Sequence, residues 1–337
     1  MEAIRLSPDG RDFVRERTGR RFVAWGFNYD HDAAGRLIED YWLDEWDRVV
    51  QDFREMKALG ANTVRIHFQV ARFVKSPEEI DPAALAQLKR LVHMAEDMRL
   101  YLDITGLGCY HKSDVPPWYD ALSEQDRWAV QARFWEAVAE ACHDSPAVFC
   151  YDLMNEPILP GEGRPETEWL AGEFGGKHFV QRLTLDLAGR TRIEVAAAWV
   201  ARMVMAIRRH DPHRLITVGV IPWALVFPGA KPIFYSPEAG KHLDFVSVHF
   251  YPETGKVEDA LRALAVYDVG KPVVVEEMFP LKCTLDELDA FVEGSRPLAD
   301  GWIGFYWGET VPELTERSGD LTAAIVRHWL EYFAGKG

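Results

Sequence analysis

Eight short apolar runs, separated by longer amphipathic stretches, constrain the fold of this chain more than any other feature of its sequence. The runs are rich in Val, Ile, Leu and aromatic residues and do not alternate with polar positions, which is typical of strands covered on both faces. Strands that alternate with helices indicate βαβ units and a parallel sheet. The predicted strands are Phe22–Gly26, Thr63–His67, Tyr101–Thr105, Val148–Met154, Leu215–Val220, Phe245–His249, Pro272–Glu276 and Trp302–Tyr306.

Signals for the start of a helix lie between these runs. Asp81 and Pro82 supply an N-cap and a first-turn proline ahead of an apolar periodic stretch. Thr191–Glu194 and Thr284–Glu287 have the pattern of a capping box. Further helices are predicted at Glu45–Leu59, Ser123–Cys142, Val257–Val266 and Leu321–Phe333.

This order of elements predicts one closed (β/α)8 barrel rather than an open doubly wound sheet. No GxGxxG motif opens a helix after the first strand, as a dinucleotide-binding fold would require. A barrel needs ~250 residues, so a chain of 337 residues must place its surplus in loops. We therefore predict a single domain over 1–337, with long loops at 159–190 and 221–241 on the face where the strands end.

The net charge of −15 excludes several classes of partner. Nucleic acid binding needs clustered Lys and Arg, and an acidic surface is also repelled by anionic membranes. A neutral carbohydrate has no charge to be repelled. The four cysteines have no CxxC or zinc-site spacing, which is typical of free thiols in a reducing compartment. No apolar leader segment follows Met1, so we expect a cytoplasmic protein if the chain is full length.

Carboxylates lie at the ends of two predicted strands. Asn155-Glu156-Pro157 follows the fourth strand, and Glu276-Glu277 ends the seventh. Barrel enzymes keep their catalytic groups at this end of the strands. Glycoside hydrolysis needs two carboxyl groups, one protonated and one ionised, and an amide such as Asn155 can bind the sugar 2-OH. Because strand side chains alternate, only one of Glu276 and Glu277 is expected to face a substrate.

Other side chains offer weaker indications. Asn28 follows the first strand and Trp223 the fifth, so both are candidates for substrate contact. The histidines His67, His111 and His249 raise the alternative of a metallohydrolase. The chain has no HExxH motif and no HxH on the first strand, so we expect no catalytic metal.

The chain as a whole resembles the clan A glycoside hydrolases, and family 5 most closely. The similarity is carried by five ordered motifs, which are Gly60–Ile66, Phe149–Pro157, Ser247–Pro252, Lys271–Phe279 and Gly304–Trp307. The resemblance implies that Glu156 is the acid/base and Glu277 the nucleophile, with Arg65 beside Glu277. It also implies that His249 and Tyr251 line the site and that Trp307 forms the floor under the cleaved sugar.

The same resemblance implies an activity. It is that of a retaining β-glycoside hydrolase, without a cofactor, acting by double displacement on β-linked oligosaccharides such as those of β-mannan or β-glucan. One departure concerns the third strand, where many family members carry a histidine pair and this chain has Thr105-Gly106, with His111 the nearest histidine. A transglycosylase on the same scaffold and a non-catalytic carbohydrate-binding barrel remain as alternatives.

Overall fold

The computed structural model describes residues 1–317 and 319–336, and a parallel sheet in it closes into a (β/α)8 barrel. This confirms the fold predicted from the sequence. Neighbouring strands follow one another in chain order, and the eighth strand pairs with the first. The barrel strands are Ala24–Asn28, Thr63–Gln69, Tyr101–Gly108, Val148–Asp152, the two halves Leu215–Thr217 and Gly219–Val220, Val246–His249, Val273–Glu277 and Gly301–Phe305.

The fifth strand is interrupted at Val218. Its first half pairs with the fourth strand and its second half with the sixth, so each half closes one side of the barrel. The hydroxyl of Tyr235 fills the interruption: it donates to the Val218 carbonyl and accepts from the Ser247 N–H at 2.8 Å. A side chain thus replaces part of the backbone ladder at this point.

The first barrel strand begins at Ala24, two residues later than the prediction of Phe22–Gly26. Phe22 instead belongs to a small antiparallel sheet that the sequence patterns did not predict. Its Phe13 and Phe22 rings pack edge-on against Phe149, with centroids 5.1 and 5.5 Å apart. These contacts close the end of the barrel where the strands begin. The sheet consists of Ile4–Leu6, Phe13–Arg15 and Arg21–Phe22.

Long helices follow the barrel strands, with the exception of the fifth. After that strand the chain forms only the short helices Trp223–Val226 and Pro237–Gly240. No helix among the described residues is both long enough and apolar enough to cross a membrane. The other helices are Ile38–Tyr41, Trp46–Ala58, Val70–Phe73, Pro82–Met98, Pro117–Asp120, Glu124–Cys142, Arg192–Arg208, Val257–Ala265, Leu285–Ser295, Val311–Glu316 and Leu321–Lys336, with a 3-10 turn at Lys112–Asp114.

The loop after the fourth strand packs against the loop after the third strand. A three-stranded sheet of Pro157–Ile158, Leu170–Ala171 and Val180–Arg182 orders it. Trp169 Nε1 donates to the Asp120 carbonyl at 3.1 Å, which fixes this loop on the loop after the third strand. The two loops together form a wall at the carboxyl end of the barrel. The remaining strands, Val74–Ser76 and Glu79–Ile80, form a hairpin after the second barrel strand.

Candidate active site

Two glutamates lie together where the fourth and seventh strands end. One oxygen of Glu156, one oxygen of Glu277 and one ring nitrogen of His249 all lie within 4.8 Å of one another. The side chains of Glu156 and Glu277 are 17% and 12% exposed, so both reach the barrel mouth. The structure therefore brings together the two carboxylates on which the sequence prediction rests.

Glu156 is held in an unusual backbone conformation. Its φ is 45°, in the left-handed region that non-glycine residues rarely adopt. Its N–H donates to the Gly219 carbonyl at 2.9 Å, which fixes the turn against the fifth strand. Its Oε1 lies 2.8 Å from His249 Nδ1. This turn directs the Glu156 side chain towards Nδ1 of His249.

Both oxygens of Glu277 accept hydrogen bonds from protein groups. Arg65 Nη1 donates to Oε1 at 2.8 Å, and the Tyr251 hydroxyl donates to Oε2 at 2.6 Å. Hydrogen bonds to the charged form of a carboxylate favour that form. The two donors also fix the plane of the carboxylate, as a nucleophile requires.

Arg65 lies at the centre of the site and is fully buried. Burial alone would lower its pKa, but the surrounding charges of Glu276, Asp152, Glu277 and Asp103 raise it well above its usual value. It is therefore a permanent cation. Its guanidinium donates to Asn28 Oδ1 at 2.9 Å, Glu277 Oε1 at 2.8 Å, Asp152 Oδ2 at 2.7 Å and Asn155 Oδ1 at 2.9 Å.

Glu276 also lies inside the barrel, although strand alternation predicts that it points away from Glu277. The cause is a shift of register between the sixth and seventh strands: Val248 pairs with Val275, but His249 pairs with Glu277. This bulge leaves Glu276 unpaired. Its side chain is fully buried, so only Glu277 of the two reaches the mouth.

His249 connects the buried carboxylate to the exposed one. Its Nε2 lies 3.3 Å from Glu276 Oε2, and its Nδ1 lies 2.8 Å from Glu156 Oε1. Burial would lower the pKa of His249, but the charge of Glu277 and the hydrogen bonds to Glu156 and Glu276 raise it to about 10. Burial would likewise raise the pKa of Glu276, but the charges of Arg65 and His249 lower it to about 2. These two shifts favour an imidazolium form of His249 beside an ionised Glu276.

Asn28 does not face a substrate. It is fully buried, and its amide donates to the carbonyls of Glu276 and Gly304 at 2.9 and 2.8 Å. Its Oδ1 accepts from Arg65 Nη1 at 2.9 Å, and His67 Nε2 lies 3.3 Å from the same oxygen. The sequence prediction of substrate contact is therefore corrected, because Asn28 is enclosed by groups that it orients.

His111 does not occupy the place of the third-strand histidines. It precedes the 3-10 turn and lines a small cavity with Leu37 and Arg72, which neither Glu156 nor Glu277 lines. The preceding residue, Tyr110, points inward instead. Its hydroxyl lies 2.6 Å from His67 Nδ1. His111 thus lies apart from the two glutamates, and its contact with substrate stays a prediction; Tyr110, which was not predicted, joins the buried groups through His67.

Asn155 is almost completely buried, and part of its hydrogen-bonding capacity is used by other groups of the protein. Its Oδ1 accepts from Arg65 Nη2 at 2.9 Å, and its Nδ2 donates to the Phe179 carbonyl at 3.0 Å. One amide hydrogen is left for a hydroxyl. Trp223 lies on the short helix after the fifth strand and is 37% exposed, with its ring stacked on Phe227 at 5.9 Å.

An aromatic row forms one side of the mouth. Trp307 stacks on Phe305 with centroids 5.6 Å apart and planes at 5°, and Phe305 in turn stacks on Tyr251 at 6.4 Å. Phe279 meets the Trp307 ring edge-on at 5.1 Å. The row places Trp307 one ring beyond the Tyr251–Glu277 pair. Phe305 was not predicted, and its position at the end of the eighth strand was the available signal.

Two buried aspartates also belong to the site and were not predicted. Asp152 accepts from Thr105 Oγ1 at 2.9 Å and from the Gly219 N–H at 2.8 Å. Burial and the charge of Glu276 raise the pKa of Asp152 to about 6, although Arg65 opposes this. Burial and the charge of Glu276 also raise the pKa of Asp103 well above its usual value, which favours the protonated form of this buried carboxyl group.

Glu156, His249 and Glu277 are close enough to share a cation. Each donor is already engaged, however: His249 bonds Glu156, and Arg65 and Tyr251 bond Glu277. A metal would have to displace the proton of a histidine whose pKa is about 10. These three side chains are therefore better suited to form hydrogen bonds with one another than to bind a metal ion.

The chain shares both sequence and fold with known proteins. Residues 25–308 match the profile of the cellulase family, glycosyl hydrolase family 5. An exo-β-1,4-mannosidase from Opitutaceae bacterium strain TAV5 superposes with a TM-score of 0.70 at 18% identity, covering 98% of this chain and 61% of that chain. This chain thus spans less than two thirds of that mannosidase.

Two further solved structures are similar along nearly their whole length. The catalytic domain of a Thermobifida fusca endoglucanase has a TM-score of 0.64 at 15% identity, covering 99% of this chain and 96% of that chain. An endo-1,4-β-mannanase from Rhizomucor miehei has a TM-score of 0.63 at 16% identity, covering 99% of this chain and 100% of that chain. No curated protein sequence matches the chain. At such identities the structural likeness shows the fold.

Proposed function

This chain belongs to glycosyl hydrolase family 5, and from that premise we propose that it hydrolyses β-glycosides with retention of configuration at the anomeric carbon. The observation that carries the proposal is the short separation of Glu156 and Glu277, whose nearest oxygens lie within 4.8 Å. Retaining enzymes hold their carboxyl groups about 5–5.5 Å apart, whereas inverting enzymes need ~6.5–9.5 Å to admit a water molecule.

Glu277 has the surroundings of the nucleophile. Its carboxylate attacks the anomeric carbon, and the bond to the leaving oxygen breaks as the covalent glycosyl-enzyme forms. Arg65 and Tyr251 hold its two oxygens in place before the attack. Because these donors are buried or half-buried, they need little reorganisation during the reaction.

Glu156 has the position of the acid/base on the opposite strand end. In the first step it gives a proton to the leaving oxygen. In the second step it takes a proton from water, and that water releases the sugar from Glu277. The hydrogen bond from His249 Nδ1 at 2.8 Å fixes one oxygen of Glu156 and leaves the other free for the substrate.

We propose β-linked gluco- or manno-oligosaccharides as substrates. Trp307 and Phe305 offer flat apolar faces for sugar rings. The similar structures include a mannosidase, a mannanase and an endoglucanase, which supports this choice of sugars. We further propose short oligosaccharides rather than long polymers, because the loop after the fourth strand is fixed on the loop after the third at the carboxyl end of the barrel.

The decisive experiment is chemical rescue of Glu277→Ala. We expect turnover of an aryl β-glycoside to fall by ~10⁴-fold or more, and azide to restore it with an α-glycosyl azide as product. Glu168→Ala, at an exposed glutamate of the loop wall, is the matched control and should keep full activity. Undiminished hydrolysis by Glu277→Ala, or an inverted sugar from the wild-type enzyme, contradicts the proposal.

Three further measurements separate the alternatives. A metallohydrolase loses activity with a chelator, and we expect no loss here. A non-catalytic barrel binds oligosaccharides without releasing reducing ends. A transglycosylase forms longer products at high substrate concentration, which product analysis by mass spectrometry resolves.

A further inference from the structure

We propose that Glu276 is a positioning residue, which anchors the ring of His249 so that the Nδ1–H of that ring is aimed at Glu156. The inference rests on the proposed function in one respect, namely that Glu156 is the acid/base. Glu276 cannot itself meet a substrate, because its side chain is fully buried beneath the mouth. Whatever it contributes to the reaction must pass through the groups that it contacts.

The contacts of Glu276 hold it rigidly in the barrel interior. Its Oε1 accepts from the Ser247 hydroxyl at 2.7 Å. Its Oε2 lies 3.3 Å from His249 Nε2 and 3.4 Å from Arg65 Nη2. A buried carboxylate with donors on both oxygens is fixed in one orientation. It can therefore act as a fixed acceptor for the histidine ring.

Each of the two ring nitrogens of His249 has a carboxylate oxygen beside it. Its Nδ1 lies 2.8 Å from Glu156 Oε1 and 3.5 Å from Glu277 Oε2, on the side away from Glu276. A neutral imidazole carries a single N–H and would leave one of these carboxylates without a donor. The imidazolium satisfies both sides at once, and this is the form that an anionic Glu276 stabilises.

Charged groups surround His249 from several strands. The pKa of about 10 for His249 is the combined result of burial, which lowers it, and of the three glutamates, which raise it. Ionisable groups of four strands face the ring or lie next to these glutamates. They are Arg65 and His67 of the second strand, Asp103 of the third, Asp152 of the fourth with Glu156 just after it, and Glu276 and Glu277 of the seventh.

The fifth strand leaves room for this arrangement. A Cβ atom on Gly219 would lie 2.4 Å from Glu276 Oε2 and 2.8 Å from His249 Nε2. Both distances are too short for any side chain at that position. The pair of Glu276 and His249 thus occupies a space that the interrupted strand keeps open, directly behind Glu156.

A first experiment needs neither a Glu276 variant nor activity. We expect the ¹⁵N spectrum of histidine-labelled wild-type protein to show His249 protonated on both nitrogens at pH 7.5, with the signal assigned by its loss in His249→Asn. In Glu276→Gln, which has nearly the same shape without the charge, His249 should lose its proton at least one pH unit lower. A neutral His249 in the wild type, or an unchanged titration in the variant, overturns the proposal.

A second experiment reads out the acid/base directly. A dinitrophenyl glycoside needs no proton to leave, whereas an oligosaccharide does. Glu276→Gln should therefore lower kcat/KM for the oligosaccharide at least tenfold more than for the aryl glycoside. Equal losses on both substrates would indicate a purely structural role and refute the inference. If neither substrate is cleaved by the wild type, the proposed function fails, and the ¹⁵N titration still decides the role of Glu276.

Discussion

Replacing Arg65 by methionine tests how the site is held together, independently of what it hydrolyses. Arg65 lies 2.7 Å from Asp152, 2.8 Å from Glu277 and 3.4 Å from Glu276. Methionine keeps the unbranched apolar part of the arginine side chain but has no charge, so the variant leaves these carboxylates facing one another. Removing one partner of a buried ion pair costs about 3–5 kcal/mol. We expect a loss of that size in the free energy of unfolding at pH 8.

The loss should shrink as the pH falls. The pKa of Asp152 is raised to about 6 by burial and by Glu276, even with Arg65 present to oppose the shift. Without Arg65 it rises further, whereas an aspartate of the unfolded chain titrates near ~3.9. The folded variant therefore binds a proton that the unfolded chain does not, and this stabilises it by about 1.4 kcal/mol per pH unit below the folded pKa.

Urea denaturation at pH 8 and pH 6, followed by tryptophan fluorescence, measures both effects. Arg209→Met is the matched control, because Arg209 lies 3.3 Å from Glu136 with its side chain 61% exposed. A surface pair of this kind contributes about 0–1 kcal/mol. The reasoning is refuted if Arg65→Met is no less stable than the control, or if its loss is the same at both pH values.

Three further predictions concern activity. Glu156→Ala should keep most of the kcat/KM for a dinitrophenyl glycoside, whose leaving group needs no proton, but lose at least 100-fold in kcat/KM for oligosaccharides; kcat should fall on both, because the second step loses its base, and equal losses in kcat/KM argue against the acid/base role. Trp307→Ala should raise KM roughly tenfold through loss of stacking, worth about 1 kcal/mol or more, with a smaller change in kcat, and an unchanged KM would remove Trp307 from the substrate-binding surface. Gly219→Ala should lower kcat at least tenfold because its Cβ would lie 2.4 Å from Glu276, whereas Gly161→Ala, whose nearest contact is 3.4 Å, should not.

The fold could be predicted because its signals are local. Short apolar runs and helix caps recur along the chain, and the barrel follows from their order. The interruption at Val218 could not be predicted in this way, because it depends on the hydroxyl of Tyr235, which comes from a later loop. Phe22 was assigned to the barrel for a similar reason: its partner in the small sheet is Phe13, and two-residue strands leave no periodic pattern.

In the candidate site, too, local sequence signals could be read in advance, whereas contacts between distant parts of the chain could not. Glu156 and the Glu276-Glu277 pair were found because strand ends are visible in the sequence; the choice of Glu277 came from the family resemblance, and the roles assigned to the two glutamates stay predictions. The inward position of Glu276 depends on the register shift at Val248 and His249, which alternation within one strand cannot reveal. Likewise, the inward position of Tyr110 depends on where the third strand ends, and Tyr101–Gly108 runs three residues beyond the predicted end at Thr105.

The left-handed backbone at Glu156 has an evolutionary consequence. A side chain at φ 45° costs roughly 1–2 kcal/mol that glycine would not incur. A glutamate codon becomes a glycine codon by one base change, so one of the single-base changes that would remove the proposed acid/base also relieves strain. Selection for turnover must act continuously to retain Glu156. A lineage released from that selection would drift towards a more stable barrel that keeps Trp307 and Phe305, and relatives of this chain that bind sugars without cleaving them should carry glycine at this position.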